Sequence, residues 1–564
     1  MPTINSSKLL RTTATALLLL SSSIAAQEFG GDAKILDRIN GQSGFGYFGD
    51  AVANAGDVNG DGTSDILIGA PRNTIGSAGY EGSAFVYSGR NGALLYQYDG
   101  TFRYSGLGDA VAGLGDINGD NFDDFVIGAP GPWQDDLDVC YVYSGRTGLL
   151  LYQVADVGGF ACTPVGDLNL DGVTDFASSK LDAGVGSQAI GEVSIISGAT
   201  GARMRTITTN ANGTSYGYSV AGNHDLDNDG FHDLIIGEPF AMANGTDDVG
   251  QVHVISGRTG QPMYLLQPPT LEADMTFGFS VATIADLTGD QIPDILVGAP
   301  SLNSAASGDL FLYSGADGSL LLRMPNPGTG ISFGSSICAL GDITGDGIPD
   351  IAVGDMGWSG NQPHSGAVYL LSGLDFSILH RWSDLPYTER LGSQITLMGD
   401  LNLDGAKEFV LSAPRASRNN NTYYGSVFLG SFRPMIEADV LTVSAAAGGV
   451  VNMELSFQQD AANFMYQTLI SSTGRGPFMW GELSIPLTQD MTVLHCMAGI
   501  YPVSTHTGMT GTLDSAAKAN ASITIPGGLP SSMIGRKFWC AAVARDAGTL
   551  PEFSSSSVSV EITP

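Results

Sequence analysis

The chain has 564 residues, too many for one ordinary core, so several domains or a repeat array are expected. It carries 57 Asp and Glu against 24 Lys and Arg, a formal net charge of -33, which excludes nucleic acid as a partner because a polyanionic backbone demands a basic face. Five cysteines in so long a chain exclude a disulfide framework.

Residues 1–26 hold Lys8 and Arg11, an apolar stretch from Ala14 to Leu20, and small residues ending at Ala25 and Ala26. This reads as a secretory signal peptide, since the apolar part is too short to span a bilayer. No later segment reaches the roughly 18 consecutive apolar residues of a spanning helix. The mature chain is therefore expected to be secreted or at the cell surface, with no transmembrane segment.

The next stretch, AKILDRING (Ala33 to Gly41), reads as a strand and matches the later ALLYQYDG (Ala93 to Gly100). A repeat then begins. In its first copy FGDAVANAG (Phe48 to Gly56) leads into an acidic loop and DILIGAP (Asp65 to Pro71) leaves it. SAFVYSG (Ser83 to Gly89), a turn at Arg90, Asn91 and Gly92, and ALLYQY (Ala93 to Tyr98) follow. Alternation with β-branched and aromatic residues favours strands, and Gly, Pro, Asn and Asp punctuate them. Four short strands in each repeat of 51 to 61 residues describe a propeller blade.

The seventh copy stops after SVFLGSF (Ser426 to Phe432) without a fourth strand. Ile35, Leu36 and Ile39 are expected to supply it beside Val427 to Leu429, which would remove an open sheet edge. From about Pro434 the period disappears, and runs such as VNMELSF, MYQTLIS, FWCAAVA and SVSVEIT suggest a separate sandwich. The expected fold is all-β, a seven-bladed β-propeller over 27–433 followed by a β-sandwich over 434–564. Cys496 and Cys540 share the second domain and are candidates to pair. Cys140 with Cys162 is a weaker pair, and Cys338 is most simply a buried small apolar residue.

The acidic loops carry the chemistry. A string D-x-[DNT]-x-D-x-x-x-[DE] begins at Asp57, Asp116, Asp167, Asp225, Asp286, Asp342 and Asp400, and its first, third, fifth and ninth positions account for 22 of the 57 acids. Oxygens at alternate positions of a tight loop suit a hard cation such as Ca2+, which takes about 6 to 8 of them. The sixth position needs a sharp turn, met by Gly62, Gly172, Gly230, Gly347 and Gly405, tolerated by Asn121 and less well by Gln291. An EF-hand would need a Glu at the twelfth position, where the chain has Ile68, Ile127, Ser178, Ile236, Val297, Val353 and Leu411. Acidic turns without a metal are the other alternative, set against the mutual repulsion of crowded carboxylates.

Phe-Gly stands at Phe45-Gly46, Phe277-Gly278 and Phe333-Gly334, with Tyr216-Gly217 and Leu391-Gly392 as variants. Gly-Ala-Pro begins at Gly69, Gly128 and Gly298, with Gly237-Glu238-Pro239, Ser412-Ala413-Pro414, Gly354-Asp355-Met356 and Ser178-Ser179-Lys180 in its place elsewhere. With the acidic loops between them, residues 33–432 resemble the FG-GAP repeat of the integrin α-subunit head, a seven-bladed β-propeller, and the chain looks like a secreted bacterial-type member.

The resemblance implies Ca2+, up to seven ions with one per blade, held by side chains at positions 1, 3, 5 and 9 and by the backbone carbonyl at position 7. The first copy gives Asp57, Asn59, Asp61, Asp65 and the carbonyl of Thr63, and the second Asp116, Asn118, Asp120, Asp124 and Phe122. The third gives Asp167, Asn169, Asp171, Asp175 and Val173, and the fourth Asp225, Asp227, Asp229, Asp233 and Phe231. The fifth gives Asp286, Thr288, Asp290, Asp294 and Ile292, the sixth Asp342, Thr344, Asp346, Asp350 and Ile348, and the seventh Asp400, Asn402, Asp404, Glu408 and Ala406. Thr288 and Gln291 make the fifth site the weakest expected.

No catalytic residue and no enzyme activity are expected. G-x-S-x-G occurs at Gly213 to Gly217 and Gly330 to Gly334, but in loops entering a first strand, not on a strand-to-helix elbow. His224 and His232 belong to the fourth loop region, and no HExxH exists. In a meander the 1-to-2 and 3-to-4 loops share one face, which takes the acidic loops. The other face carries Tyr80, Trp133, Trp358, Tyr423, Tyr424, Arg103 and Arg390, residue types that anchor interfaces. The expected role is a non-catalytic adhesion or protein-binding module for an extracellular protein or glycan ligand. A carbohydrate-binding lectin and an extracellular polysaccharide-acting enzyme are the alternatives.

Overall fold

The computed structural model describes residues 31–564 apart from 43, 76–78, 132–137, 184–189, 210–213, 302–306, 329, 361–362, 384, 386–388, 418–422, 435, 439–441, 458–460, 473–477, 481–482, 486, 488–493, 495, 498–505, 547–552 and 555–557. The leader read in residues 1–26 lies outside them.

Seven antiparallel four-stranded sheets follow one another. The first blade is Val52–Gly56, Asp65–Ala70, Ser83–Tyr87 and Leu94–Asp99. The second is Val111–Gly115, Asp124–Ala129, Val139–Tyr143 and Leu150–Ala155. The third is Cys162–Gly166, Asp175–Ala183, Ile190–Ile196 and Arg203–Thr208. The fourth is Val220–His224, Asp233–Glu238, Gln251–Ile255 and Pro262–Leu266. The fifth is Ser280–Ile284, Asp294–Ala299, Asp309–Tyr313 and Leu320–Pro325. The sixth is Phe333–Gly341, Asp350–Asp355, Ala367–Leu371 and Ile378–Ser383. First strands touch from blade to blade, and Ile395–Gly399 of the seventh touches Val52–Gly56, so the ring is closed.

The seventh blade adds Glu408–Ala413 and Ser426–Pro434, and its outer strand is Gly31–Asn40 from the other end of the propeller. Ile39 stands opposite Val427 and Asp37 opposite Leu429. That pairing covers the edge which a linear repeat would leave open.

Burial explains the sequence pattern within a blade. The second strands of blades one, two, four, five, six and seven are buried along their whole length, because neighbouring blades cover both faces, and so they read as continuous apolar runs. Outer strands such as Leu94–Asp99 are partly exposed and alternate.

The glycines of the motif mark where blades meet. The amide of Gly49 donates to the carbonyl of Gly69 at 2.8 Å, and a Cβ on Gly69 would lie 1.9 Å from the carbonyl oxygen of Gly108 in the next blade. The same amide-to-carbonyl bond joins Gly108 to Gly128, Gly217 to Gly237, Gly278 to Gly298 and Gly392 to Ser412. This corrects two registers. In blade one the equivalent pair is Phe48-Gly49, with Phe48 buried, and Phe45 is half-exposed. In blade three Ser179, not Ser178, takes the glycine place, since its amide bonds the carbonyl of Ala161 as that of Gly69 bonds Ala51.

After residue 434 two further sheets share one core. One contains Ile436–Ala438, Gly449–Ser456, Lys518–Ile525 and His506–Thr507, and the other Thr442–Ser444, Val558–Thr563, Lys537–Arg545, Met465–Ser471 and Thr510–Thr512. Val451 and Leu455 of the first pack with Leu469 and Ala541 of the second, which makes a sandwich. Cys496 and Cys540 are both buried in that core.

Candidate metal centres and the opposite face

Each acidic loop links the first and second strands of a blade, and its geometry is fixed by its own carboxylates. In the first loop Asp57 Oδ1 accepts the amides of Gly60 at 2.7 Å and Asp61 at 3.0 Å, and Oδ2 accepts that of Gly62 at 2.8 Å. Asp61 Oδ1 accepts the amide of Thr63 at 3.1 Å. The sixth position is left-handed in all seven loops, including Asn121 at φ 66° and Gln291 at φ 72°. The fourth position is left-handed too, which the sequence did not disclose, because it is Leu170 at φ 62° and Leu403 at φ 59° in two loops. Both leucines are about two-thirds exposed, at 70% and 67%. Strained backbone of this kind persists where the surrounding structure imposes it.

The ninth position is the buried floor of each site. Asp65, Asp124, Asp175, Asp294, Asp350 and Glu408 are 0% exposed and Asp233 is 1% exposed. One oxygen of Asp65 accepts the amide of Val58 at 3.0 Å, and the other that of Gly89 at 3.1 Å. Gly89 belongs to the turn between the third and fourth strands. Gly145, Gly198, Gly257, Gly315 and Gly373 donate in the same way to Asp124, Asp175, Asp233, Asp294 and Asp350. The seventh blade takes its outer strand from the N-terminus and so has no such turn. There the longer Glu408 accepts Leu401 N at 2.7 Å and Asn402 Nδ2 at 3.1 Å, and bonds Ser431.

Burial, with the other loop carboxylates adding repulsion, pushes Asp65 and Asp350 up to about 7 and Asp124, Asp233 and Asp294 up to about 6. A bound cation would relieve that penalty, so the donor set fits one. Carboxylate oxygens of Asp225, Asp227 and Asp229 also lie within 4.8 Å of one another. Asn59, Asn169 and Asn402 all turn Nδ2 toward the ninth-position carboxylate, at 2.9, 3.4 and 3.1 Å, and Asn169 and Asn402 also present Oδ1 to the amides of Asp171 and Asp404. In the fifth loop Thr288 Oγ1 donates to Asp286 at 3.1 Å.

Outer strands reach across to these turns. The hydroxyls of Tyr96 and Tyr152 donate to the carbonyls of Gly145 at 2.8 Å and Gly198 at 2.5 Å, Tyr264 donates to Gly315, and Arg205 to Gly257 at 2.9 Å. The side chain of one blade thus holds the glycine that buttresses the carboxylate of the next.

On the opposite face, the residues that follow the left-handed Gly49, Gly108, Gly159, Gly217 and Gly278 come within reach of one another. Phe160, Tyr218 and Phe279 form a chain with ring centroids 5.4 and 4.7 Å apart. Asp50 and Asp109 stand within mutual electrostatic reach, with Arg72 acting on both and Arg390 and Arg415 on Asp50; burial pushes Asp109 up to about 7. Further out, exposed Tyr80 and Tyr104 stack at 5.8 Å, and Arg103 lies 4.5 Å over the Tyr104 ring. Tyr423 packs edge-on against Phe45 at 6.0 Å. Tyr424 and Arg390 are half-buried. Trp358, expected as an exposed anchor, is instead buried at 7% and covered by Arg381 at 5.4 Å. Trp133 and Gly213 lie outside the described residues.

Comparison with known proteins agrees with this geometry. A family model described as FG-GAP repeat matches residues 48–87 and 216–255, and one described as FG-GAP-like repeat matches 286–353. Integrin alpha-7 of Rattus norvegicus is 30% identical over 261 residues, 41% of this chain and 22% of that protein. Integrin alpha-V of Gallus gallus is 31% identical over 209 residues, 34% of this chain and 19% of that protein. Integrin alpha-4 of Xenopus laevis is 42% identical over 119 residues, 20% of this chain and 11% of that protein. The matched part is about a fifth or less of each relative's length.

Proposed function

The chain is a FG-GAP repeat protein with integrin α-like repeats, and we propose that it is exported and works as a calcium-stabilised, non-catalytic adhesion or protein-binding module. The observation that carries the metal reading is the buried ninth-position carboxylate, held by amide donors in a strained loop of further acids. In the first blade Asp57, Asn59, Asp61, Asp65 and the carbonyl of Thr63 would hold the ion, and the matching positions would do so in the other six. Calcium supplies the positive charge that lets these acids stay ionised together. The leader at 1–26 and a domain boundary near 434 belong to the same proposal.

The ligand face is the one opposite the acidic loops. There Asp50, Asp109, Tyr218 and Arg390 form one cluster and Tyr80, Tyr104 and Arg103 another, which combines rigid aromatic area with charge. The exposed Tyr80–Tyr104 stack also suits the face of a sugar ring, so a lectin is the second reading. Immobilised full-length chain should retain a partner from extracellular milieu in calcium and lose it with chelator or with Tyr80→Ala and Tyr104→Ala together. A glycan array separates the lectin reading. Release of reducing or unsaturated ends from polysaccharides would contradict the non-catalytic one.

A further inference from the structure

One position pair recurs at every blade interface. The third strand of one blade presents the residue that pairs with the motif's glycine place (Gly69 in blade one) to the first strand of the next. Counting by strand register, the pairs are Ala84 with Val111, Val193 with Val220, Val252 with Val281, Leu310 with Ile337, Val368 with Ile395, and Val427 with Val52. Each pair falls within one apolar cluster. The remaining pair, between blades two and three, is Cys140 with Cys162.

Both members are thus exchanged together at a single interface where the other six pairs are aliphatic. Their sulfurs lie 3.7 Å apart, and the hydroxyl of Ser178 lies 3.2 Å from the sulfur of Cys140. Cys338, by contrast, follows Ile337, the residue that fills the pair position in its own blade. We propose that Cys140 and Cys162 form a disulfide that staples blade two to blade three.

The step takes a small-molecule or protein disulfide as oxidant. The thiolate of Cys162, the partly exposed partner, attacks one sulfur of the oxidant and releases the other as a thiol. The thiolate of Cys140 then attacks the Cys162 sulfur of that mixed disulfide and releases the second thiol. Two protons leave the cysteines and two oxidant thiols take them up, so the oxidant is reduced by the two electrons the pair loses. Contact with Cys140 and burial push the Cys162 thiol above its ordinary range, so the bond forms fastest while the interface is still closing during folding. An oxidising exporting compartment provides that setting.

The test compares full-length chain produced through an oxidising secretory route with chain produced in a reducing cytosol, each denatured, alkylated and mapped by peptide mass. Expected is joint protection of Cys140 and Cys162 in the exported chain, one linked peptide lighter by two hydrogen atoms, and full alkylation of all five cysteines in the cytosolic chain. Cys140→Ser should leave Cys162 alkylated or capped by a small thiol. Exported chain that folds, melts cooperatively and yet shows both cysteines alkylated would overturn the proposal. So would protection of Cys162 that survives Cys140→Ser by linkage to another cysteine of the chain.

Discussion

The hydroxyl of Tyr152 donates at 2.5 Å to the carbonyl of Gly198 in the next blade, while the amide of that glycine donates at 3.1 Å to Asp175. One residue thus ties the blade interface to the floor of an acidic loop. The relation repeats at Tyr96 with Gly145 and at Arg205 with Gly257. The geometry of an acidic loop in this ring is therefore not a property of one blade alone.

Tyr152→Phe should lower stability by about 1 kcal/mol, the usual net worth of a hydrogen bond. It should also weaken one calcium site severalfold without touching a ligand, because the turn that holds Asp175 loses its support. Calcium titration and thermal melting of the variant check both effects; a loss of stability with all sites unchanged would confine the tyrosine to packing.

The buried carboxylates set a pH dependence. Asp65 and Asp350 at about 7, and Asp124, Asp233 and Asp294 at about 6, keep their protons longer in the folded chain than in the unfolded one, where such groups titrate near 4. The cation-free ring therefore binds more protons than the unfolded chain between about pH 4 and 7, and its stability falls as pH rises through that window. With saturating calcium the trend should reverse, since protons then compete with the ion. Melting temperatures at pH 5 and pH 7.5, with chelator and with calcium, should cross.

Asp61→Ala should remove about one bound ion and cost roughly 0.4 to 1.4 kcal/mol in millimolar calcium, the mass-action contribution of a site of extracellular affinity. Asp290→Ala should cost less, because its loop offers Thr288 at the third position and bends through Gln291 at φ 72°. Metal content and melts in calcium decide; equal losses would remove that ranking.

Deleting residues 27–41 should be far more damaging than ending the chain after Pro434. The first removes the outer strand paired from Gly31 to Asn40 with Pro434 to Ser426, and leaves an edge that invites aggregation. The second leaves that pair intact. Size-exclusion and melting of both truncations check this, and a monomeric N-terminal truncation that melts like the whole ring would contradict it.

The repeat, the loop carboxylates and the shared outer strand were legible because each depends on local pattern: period, alternation, and turn residues at fixed offsets. What was not legible depended on neighbours in space. Trp358 looked like an exposed loop anchor and is buried under Arg381. Phe45-Gly46 and Phe48-Gly49 read alike as letters, and only the bond from Gly49 to Gly69 tells them apart. The left-handed turn at Leu170 and Leu403 is marked only in the other copies, where glycine or, in the fourth, Asn228 fills the place. Cys140 with Cys162 stood in the sequence only as the weaker candidate pair; that the two meet between blades emerges once strand register is known.

The most direct measurement is thermal melting of the full-length chain with calcium counted at equilibrium, before and after chelation. Up to seven ions should be retained, and chelation should lower the melting point by the equivalent of about 3 to 10 kcal/mol, summed over sites of extracellular affinity and restored by added calcium. An unchanged melting temperature with no calcium retained would contradict a calcium-stabilised ring.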